Sequence, residues 1–289
     1  MKWKLEEFIQ QLKLDPSLHV LFVEGDHDLS FWRSVVPMSD RLNTDVYKIG
    51  TVDLNVDRGG EKAKIIELAN ILKDHEVGPR VKFFADADHD RLLERSVPSS
   101  VILTDTRDRE TYLLSQDGIA SLCETGFNRD AQFSAETYGL VRTLLRPVGI
   151  VRVMSERNGE NLPFQQTCNP ESDPGKVRRF WNRNGRITTL NLSQFLSVLL
   201  QNAQRSLSDK DRLEAAVAQE QKNLSELDDD QIIHGKDLVA FVGWRFQCTY
   251  DAAQACVNLA LCQHNARFLD RPNLRAAVGW IRQQGITLH

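Results

Sequence analysis

Phe83-Phe84-Ala85-Asp86-Ala87-Asp88-His89-Asp90 places three carboxylates directly behind an apolar run. Val81 to Ala85 has the length and composition of a buried strand. Strict alternation of Asp with Ala or His predicts that Asp86, Asp88 and Asp90 project to one side if the backbone stays extended. Carboxylates crowded in this way repel one another. A hard divalent cation that prefers oxygen ligands, Mg2+ or Mn2+, relieves the repulsion. The stretch therefore points to metal-assisted chemistry on phosphates.

Working outward, two further apolar runs read as buried strands: His19 to Val23, ending at Glu24-Gly25, and Val101 to Leu103, leading into the acidic segment Thr104 to Glu110. Val46 to Ile49 is a weaker strand candidate. Helical spacing is found in Lys4 to Leu14, Leu29 to Val36 and Glu61 to His75, and Asp57 to Gly60 reads as a turn. Strands alternating with helices predict an α/β fold whose mostly parallel sheet is flanked by helices. Such sheets bind ligands at the carboxyl ends of their strands, which would gather Glu24, Asp86 and Asp105 along one edge.

Beyond about Leu114 the pattern changes. Ser134 to Leu145, Leu192 to Gln204, Asp209 to Leu224, Lys236 to Phe246, Asp251 to His264 and Asn273 to Gln283 all read as helices. The expected organisation is a catalytic domain over residues 1–116 and a mainly helical domain over 117–289, with a basic irregular segment near 152–186. No apolar run approaches the roughly 20 residues of a membrane span, and Met1 to Lys13 lacks a signal-peptide core. The chain thus reads as cytoplasmic, without a membrane partner. Its five cysteines include no C-x-x-C pair, which argues against zinc and against a disulfide framework. With a net charge of −4, the chain as a whole is not a typical nucleic-acid binder, so any such contact must be local.

Val23-Glu24-Gly25, followed later by Asp86-Ala87-Asp88, resembles the TOPRIM domain, in which one strand ends in Glu and a later one in D-x-D. The resemblance covers about the first 115 residues. It implies that Glu24 acts as general acid or base or helps bind metal, that Asp86 and Asp88 hold Mg2+, and that Asp90 is the third acid of the longer motif. A narrower resemblance spans Val23 to Phe31 (V-E-G-x-x-D-x-x-F), Gly59 to Lys62 (G-G-E-K), Asp86 to Asp88, Thr104 to Leu114 and His234 to Leu238. It is similar to the TOPRIM-related family of the nuclease subunit of the PARIS phage-defence system. That likeness implies an antiviral, toxin-like nuclease effector held by an ABC-type ATPase sensor until triggered, with transfer RNA as substrate class. Two alternatives stay open: a DNA nuclease of the OLD type, and a non-catalytic metal- or nucleic-acid-binding module. Whether the chain forms a homodimer is also open.

The candidate site then takes shape. Glu24, Asp86 and Asp88 are the catalytic candidates. Asp28, Asp90 and Glu110 join them as metal ligands, with Asp108 in support. As an alternative role, Asp28 would cap the helix from Leu29, and Asp105 a helix beginning near Arg109. Lys176 to Arg186, reading K-V-R-R-F-W-N-R-N-G-R, supplies the nucleic-acid candidates Arg178, Arg179, Trp181 and Arg183. Its cations would meet phosphates and its aromatic rings unpaired bases. A solvated segment with one buried Trp, or a protein-docking surface, are the other readings. Lys236 beside Gly235, at a helix start, is a further phosphate candidate.

Overall fold

A computed structural model describes residues 2–38, 43–54, 56, 59–168, 179–184 and 187–284. The chain divides into two compact units, Met1–Asp90 with Glu94–Asp105 and Leu261–His289, and Arg91–Leu93 with Thr106–Ala260.

The first unit is α/β. Strands β1 (Trp3–Lys4) and β4 (Val52–Asp53) form a small parallel pair. Strands β2 (His19–Val23), β3 (Thr44–Lys48), β5 (Val81–Ala85) and β6 (Val101–Leu103) form a parallel sheet of order β3-β2-β5-β6. The three apolar runs become strands with the expected limits because each is buried, as strands of a covered parallel sheet must be. Register places Val23 opposite Phe84 and Ala85 opposite Leu103, so all three strands end at one edge.

Helices α1 (Leu5–Leu14), α2 (Asp26–Val35) and α3 (Gly60–Leu72) follow the expected periodicity, with ends shifted by up to three residues. Phe8, Leu12, Ile65, Leu68 and Leu72 of α1 and α3 join Phe22 and Phe83 of the sheet in one core. Phe22 and Phe83 stack with centroids 5.7 Å apart, and Trp32 of α2 meets Phe84 edge-on at 4.9 Å. Burying an aromatic side chain of this size contributes about 2–3 kcal/mol, so the site edge rests on a rigid base.

The expected boundary at residue 116 differs from this division. Residues 106–116 group with the second unit, and the chain returns at Leu261 to complete the first. The return is fixed by polar anchors. Asp105 accepts hydrogen bonds from the Asn273 and Leu274 amides at 2.7 and 2.9 Å, so it caps the helix Pro272–Gln284, distant in the chain, and not the turn beginning near Arg109. Asn265 Nδ2 donates to the Ser34 carbonyl at 2.8 Å, and Trp280 meets His19 edge-on.

The second unit is mainly helical. Its longest helix, Ala131–Arg157, runs through Pro147, where the sequence suggests a helix ending at Leu145. Val141, Leu144, Val148 and Val151 are buried along it, and that packing offsets the hydrogen bond lost at the proline. The stretch expected to be irregular contains the short helix Phe164–Cys168 and an antiparallel hairpin of β7 (Trp181–Asn184) and β8 (Ile187–Leu190). Among the described residues no helix is long and apolar enough to cross a membrane. The cysteines are free thiols, with Cys123 and Cys168 buried.

Candidate functional site

The edge acids are placed by three strand ends. Glu24 follows β2 and Asp86 follows β5 on the neighbouring strand. The Asp86 amide donates to Glu24 Oε1 at 2.8 Å, so the glutamate ties the two strand ends together. The Ala87 amide donates to Thr104 Oγ1 at 2.8 Å, and the Thr104 amide donates to the Ala85 carbonyl at 2.8 Å. Glutamate and aspartate segments thus leave adjacent strands held by hydrogen bonds rather than by loose loop packing.

The extended arrangement expected for Asp86, Asp88 and Asp90 is not what forms. The chain turns after Ala87: Asp88 takes a left-handed backbone with φ of 49°, and the Asp90 amide donates to the Ala87 carbonyl at 2.9 Å. The turn replaces alternation as the means of convergence. Asp88 and Asp90 meet at a lysine, with Lys62 Nζ 2.8 Å from Asp88 Oδ2 and 2.7 Å from Asp90 Oδ2. Arg95 Nη1 lies 3.6 Å from the other Asp90 oxygen. Lys62 was not among the residues singled out from the sequence, although it closes the G-G-E-K motif that was.

Lys62 reaches this place from the first turn of α3. That helix begins at Gly60 after Gly59, with φ of 69° and 100°. A side chain at Gly59 would bring its Cβ within 2.6 Å of the Ala63 Cβ, so only glycine gives this entry to the helix.

Asp28 serves as a cap and also as a neighbour of the site. Its Oδ2 accepts the Gly25 amide at 2.9 Å at the start of α2. Burial pushes the Glu24 carboxyl up to about 7, and the nearby charges of Asp28 and Asp88 push the same way. The Asp86 amide and Lys62 oppose the rise without cancelling it. Burial is the dominant cause, and it lets Glu24 hold or release a proton near neutral pH.

Glu110 and Asp108 belong to the second unit, where both carboxylates have other tasks. Glu110 Oε1 accepts from Arg109 Nη2 at 2.5 Å and from Gln254 Nε2 at 3.2 Å. Burial alone would raise the Glu110 carboxyl, but the Arg109 guanidinium holds it below the usual range. Asp108 accepts the Gly235 amide and so occupies the N-terminus of the helix Gly235–Phe246. The end at which a phosphate was expected beside Lys236 is thus filled by a carboxylate of the same chain. Lys236 itself is exposed.

The basic segment is also partly internal. Phe180 is buried against Phe195, and Trp181 packs on Trp244 with centroids 4.4 Å apart, so neither ring is set out for stacking on bases. Arg179 is exposed and donates to the Thr167 carbonyl at 3.2 Å. Arg183 lies in β7, and Arg178 falls outside the described residues. Arg152 forms a two-pronged pair with Asp237, both bonds at 3.0 Å, and Arg157 pairs with Glu220 at 3.0 Å.

Glu24, Asp86, Asp88 and Asp90 offer hard carboxylate oxygens, and two of these carboxylates, Asp88 and Asp90, already hold a cation in Lys62. That donor set fits Mg2+ or Mn2+. Among the described residues no group of three or more His, Cys, Asp or Glu side chains is drawn together as a ready-made metal cage, and Asp88 and Asp90 meet at an ammonium instead. No protein-family model matches this chain, and no curated protein matches it either.

Proposed function

We propose that this protein is a TOPRIM-like, Mg2+- or Mn2+-dependent nuclease that cleaves RNA, with transfer RNA as the substrate class, as the effector of an antiphage system restrained by a partner ATPase. The observation that carries the nuclease reading is the pairing at adjacent ends of a parallel sheet: Glu24 after β2, tied by the Asp86 amide to the Asp86-Ala87-Asp88 segment after β5. The substrate class and the ATPase rest on the sequence resemblance alone.

Asp86 and Asp88 would hold the metal, with Glu24 and Asp90 beside them. Bound there, the metal would polarise the phosphodiester and lower the pKa of a water. The chain's own residues set the rest. Glu24, with its carboxyl near 7, takes up or delivers a proton at neutral pH. The Thr104 hydroxyl and the Asp86 amide fix the strand ends against which the scissile phosphate would sit. Lys62 offsets part of the charge of Asp88 and Asp90, which eases the approach of a polyanion to an acidic edge.

The test is cleavage of total transfer RNA, plasmid and single-stranded DNA by the purified protein with Mn2+, beside Glu24→Gln and Asp86→Asn. RNA cleavage that falls about a thousandfold in both variants is expected, since metal-assisted catalysis is worth several kcal/mol. Cleavage of DNA alone would move the assignment to the DNA-nuclease alternative. Full activity in both variants would overturn the site.

A further inference from the structure

The acidic edge already contains a cation of its own. Lys62 Nζ bridges Asp88 and Asp90 at 2.8 and 2.7 Å, with its side chain only 15% exposed, whereas the Asp88 side chain is half exposed. Its position on the helix is unfavourable in itself. Lys62 lies in the first turn of α3, where the helix dipole repels a positive charge. Two aspartates overcome that repulsion. Asp88 does so from a left-handed backbone that an L residue adopts at some cost and keeps only where its surroundings hold it. Ammonium, helix start and aspartate turn therefore form one mutually supporting arrangement.

We propose that Lys62 is a resident counter-ion of this edge and that a divalent cation binds by displacing it from Asp88 and Asp90. This rests on the metal-dependent reading above. A lysine is suited to the exchange, being a single point charge on a flexible four-carbon stem, able to swing out through the open side at Asp88. Without metal the ammonium keeps the carboxylates from repelling one another. When metal arrives the ammonium is released toward solvent, where it can pair with a phosphate of the bound polyanion. The edge would thus stay organised when empty, and would bind metal more weakly than the same acids without the lysine.

Two measurements on the full-length protein test this without reference to activity. The first is acylation of lysines with an amine-reactive ester in EDTA and in saturating Mg2+, followed by peptide mass spectrometry. Acylation of Lys62 should rise several-fold with Mg2+, while that of exposed Lys236 stays constant. The second is calorimetric Mn2+ binding to wild type and to Lys62→Met and Lys62→Arg, each checked for native circular dichroism. Lys62→Met should bind Mn2+ about tenfold more tightly, because the competing charge is gone, and Lys62→Arg should not. Unchanged Lys62 acylation in the wild type, in a protein that binds Mn2+, would overturn displacement and leave the metal reading standing. Equal or weaker Mn2+ binding by a folded Lys62→Met would overturn competition in the same way. Failure of wild type and variants alike to bind Mn2+ would instead remove the metal-dependent reading, and this inference with it.

Discussion

Glu24 and Glu160 each lie beside basic residues, yet the molecule drives them in opposite directions. At the sheet edge, burial and the charges of Asp28 and Asp88 push Glu24 up to about 7 against the pull of Lys62. In the second unit, Arg212 and Arg205 grip Glu160 with contacts of 2.5 to 3.0 Å and hold it at about 2. The same unit pairs Asp237 with Arg152, and Asp229 with both Arg142 and Arg146. Its acids are matched by arginines whose planar guanidinium ties them to a fixed partner. At the edge, Asp88 and Asp90 instead share one flexible lysine, with Arg95 more distant from Asp90 at 3.6 Å. Carboxylates compensated by arginine stabilise a fold. A carboxylate pair shared by a flexible ammonium is held less rigidly.

The largest effect expected from this contrast is in the second unit. Asp237→Ala would strand the Arg152 guanidinium in the interior, and breaking a buried pair from one side costs about 3 kcal/mol or more. Urea unfolding at pH 7 should show a loss of that size with an unchanged m-value. A change under 1 kcal/mol would mean that the second unit's pairs are no more structural than the edge.

Next come opposite pH profiles. Unfolded, both glutamates titrate near 4.5. Folded Glu24 keeps its proton to about 7, so the stability it contributes is complete below 4.5 and is lost as pH rises through about 7. Folded Glu160 is ionised down to about 2, so its contribution is complete above 4.5 and is lost as pH falls through about 2. Without metal, Glu24→Gln should therefore gain on wild type as pH rises from 5 to 8. Glu160→Gln should lose on wild type across that whole range and recover only in acid. Each difference should be on the order of 1 kcal/mol once solvent screening is counted. Profiles of the same sign would break the comparison.

The smallest effect sharpens it. Asp105→Ala removes the cap of the helix Pro272–Gln284 and should cost about 1 kcal/mol, as N-cap losses do. Its Mn2+ affinity should match wild type. A loss of metal binding would place Asp105 back among the edge acids.

Much of the edge was legible because it depends on short-range signals. Apolar runs of three to five residues ending in acids gave β2, β5 and β6 their limits, and a parallel sheet aligns such ends by its topology. What escaped depends on partners distant in the chain. Alternation could not reveal the turn at Asp88, because Thr104 and Lys62, from other elements, direct the backbone there. Glu110 and Asp108 looked like edge acids until Arg109, Gln254 and the Gly235 amide claimed them. Trp181 among arginines looked like a stacking platform, and nothing local announced that Trp244 would cover it. The helix expected to end at Leu145 continues through Pro147 because buried residues on both sides of the proline hold it.

The cap that Asp105 places on the helix Pro272–Gln284 makes the first unit discontinuous in the chain. On the ribosome, the segment bearing Glu24, Asp86 and Asp88 emerges early but waits for its last helix until the second unit has been synthesised. A product that stops short of Leu261 would carry every edge acid and still lack the helix that Asp105 caps.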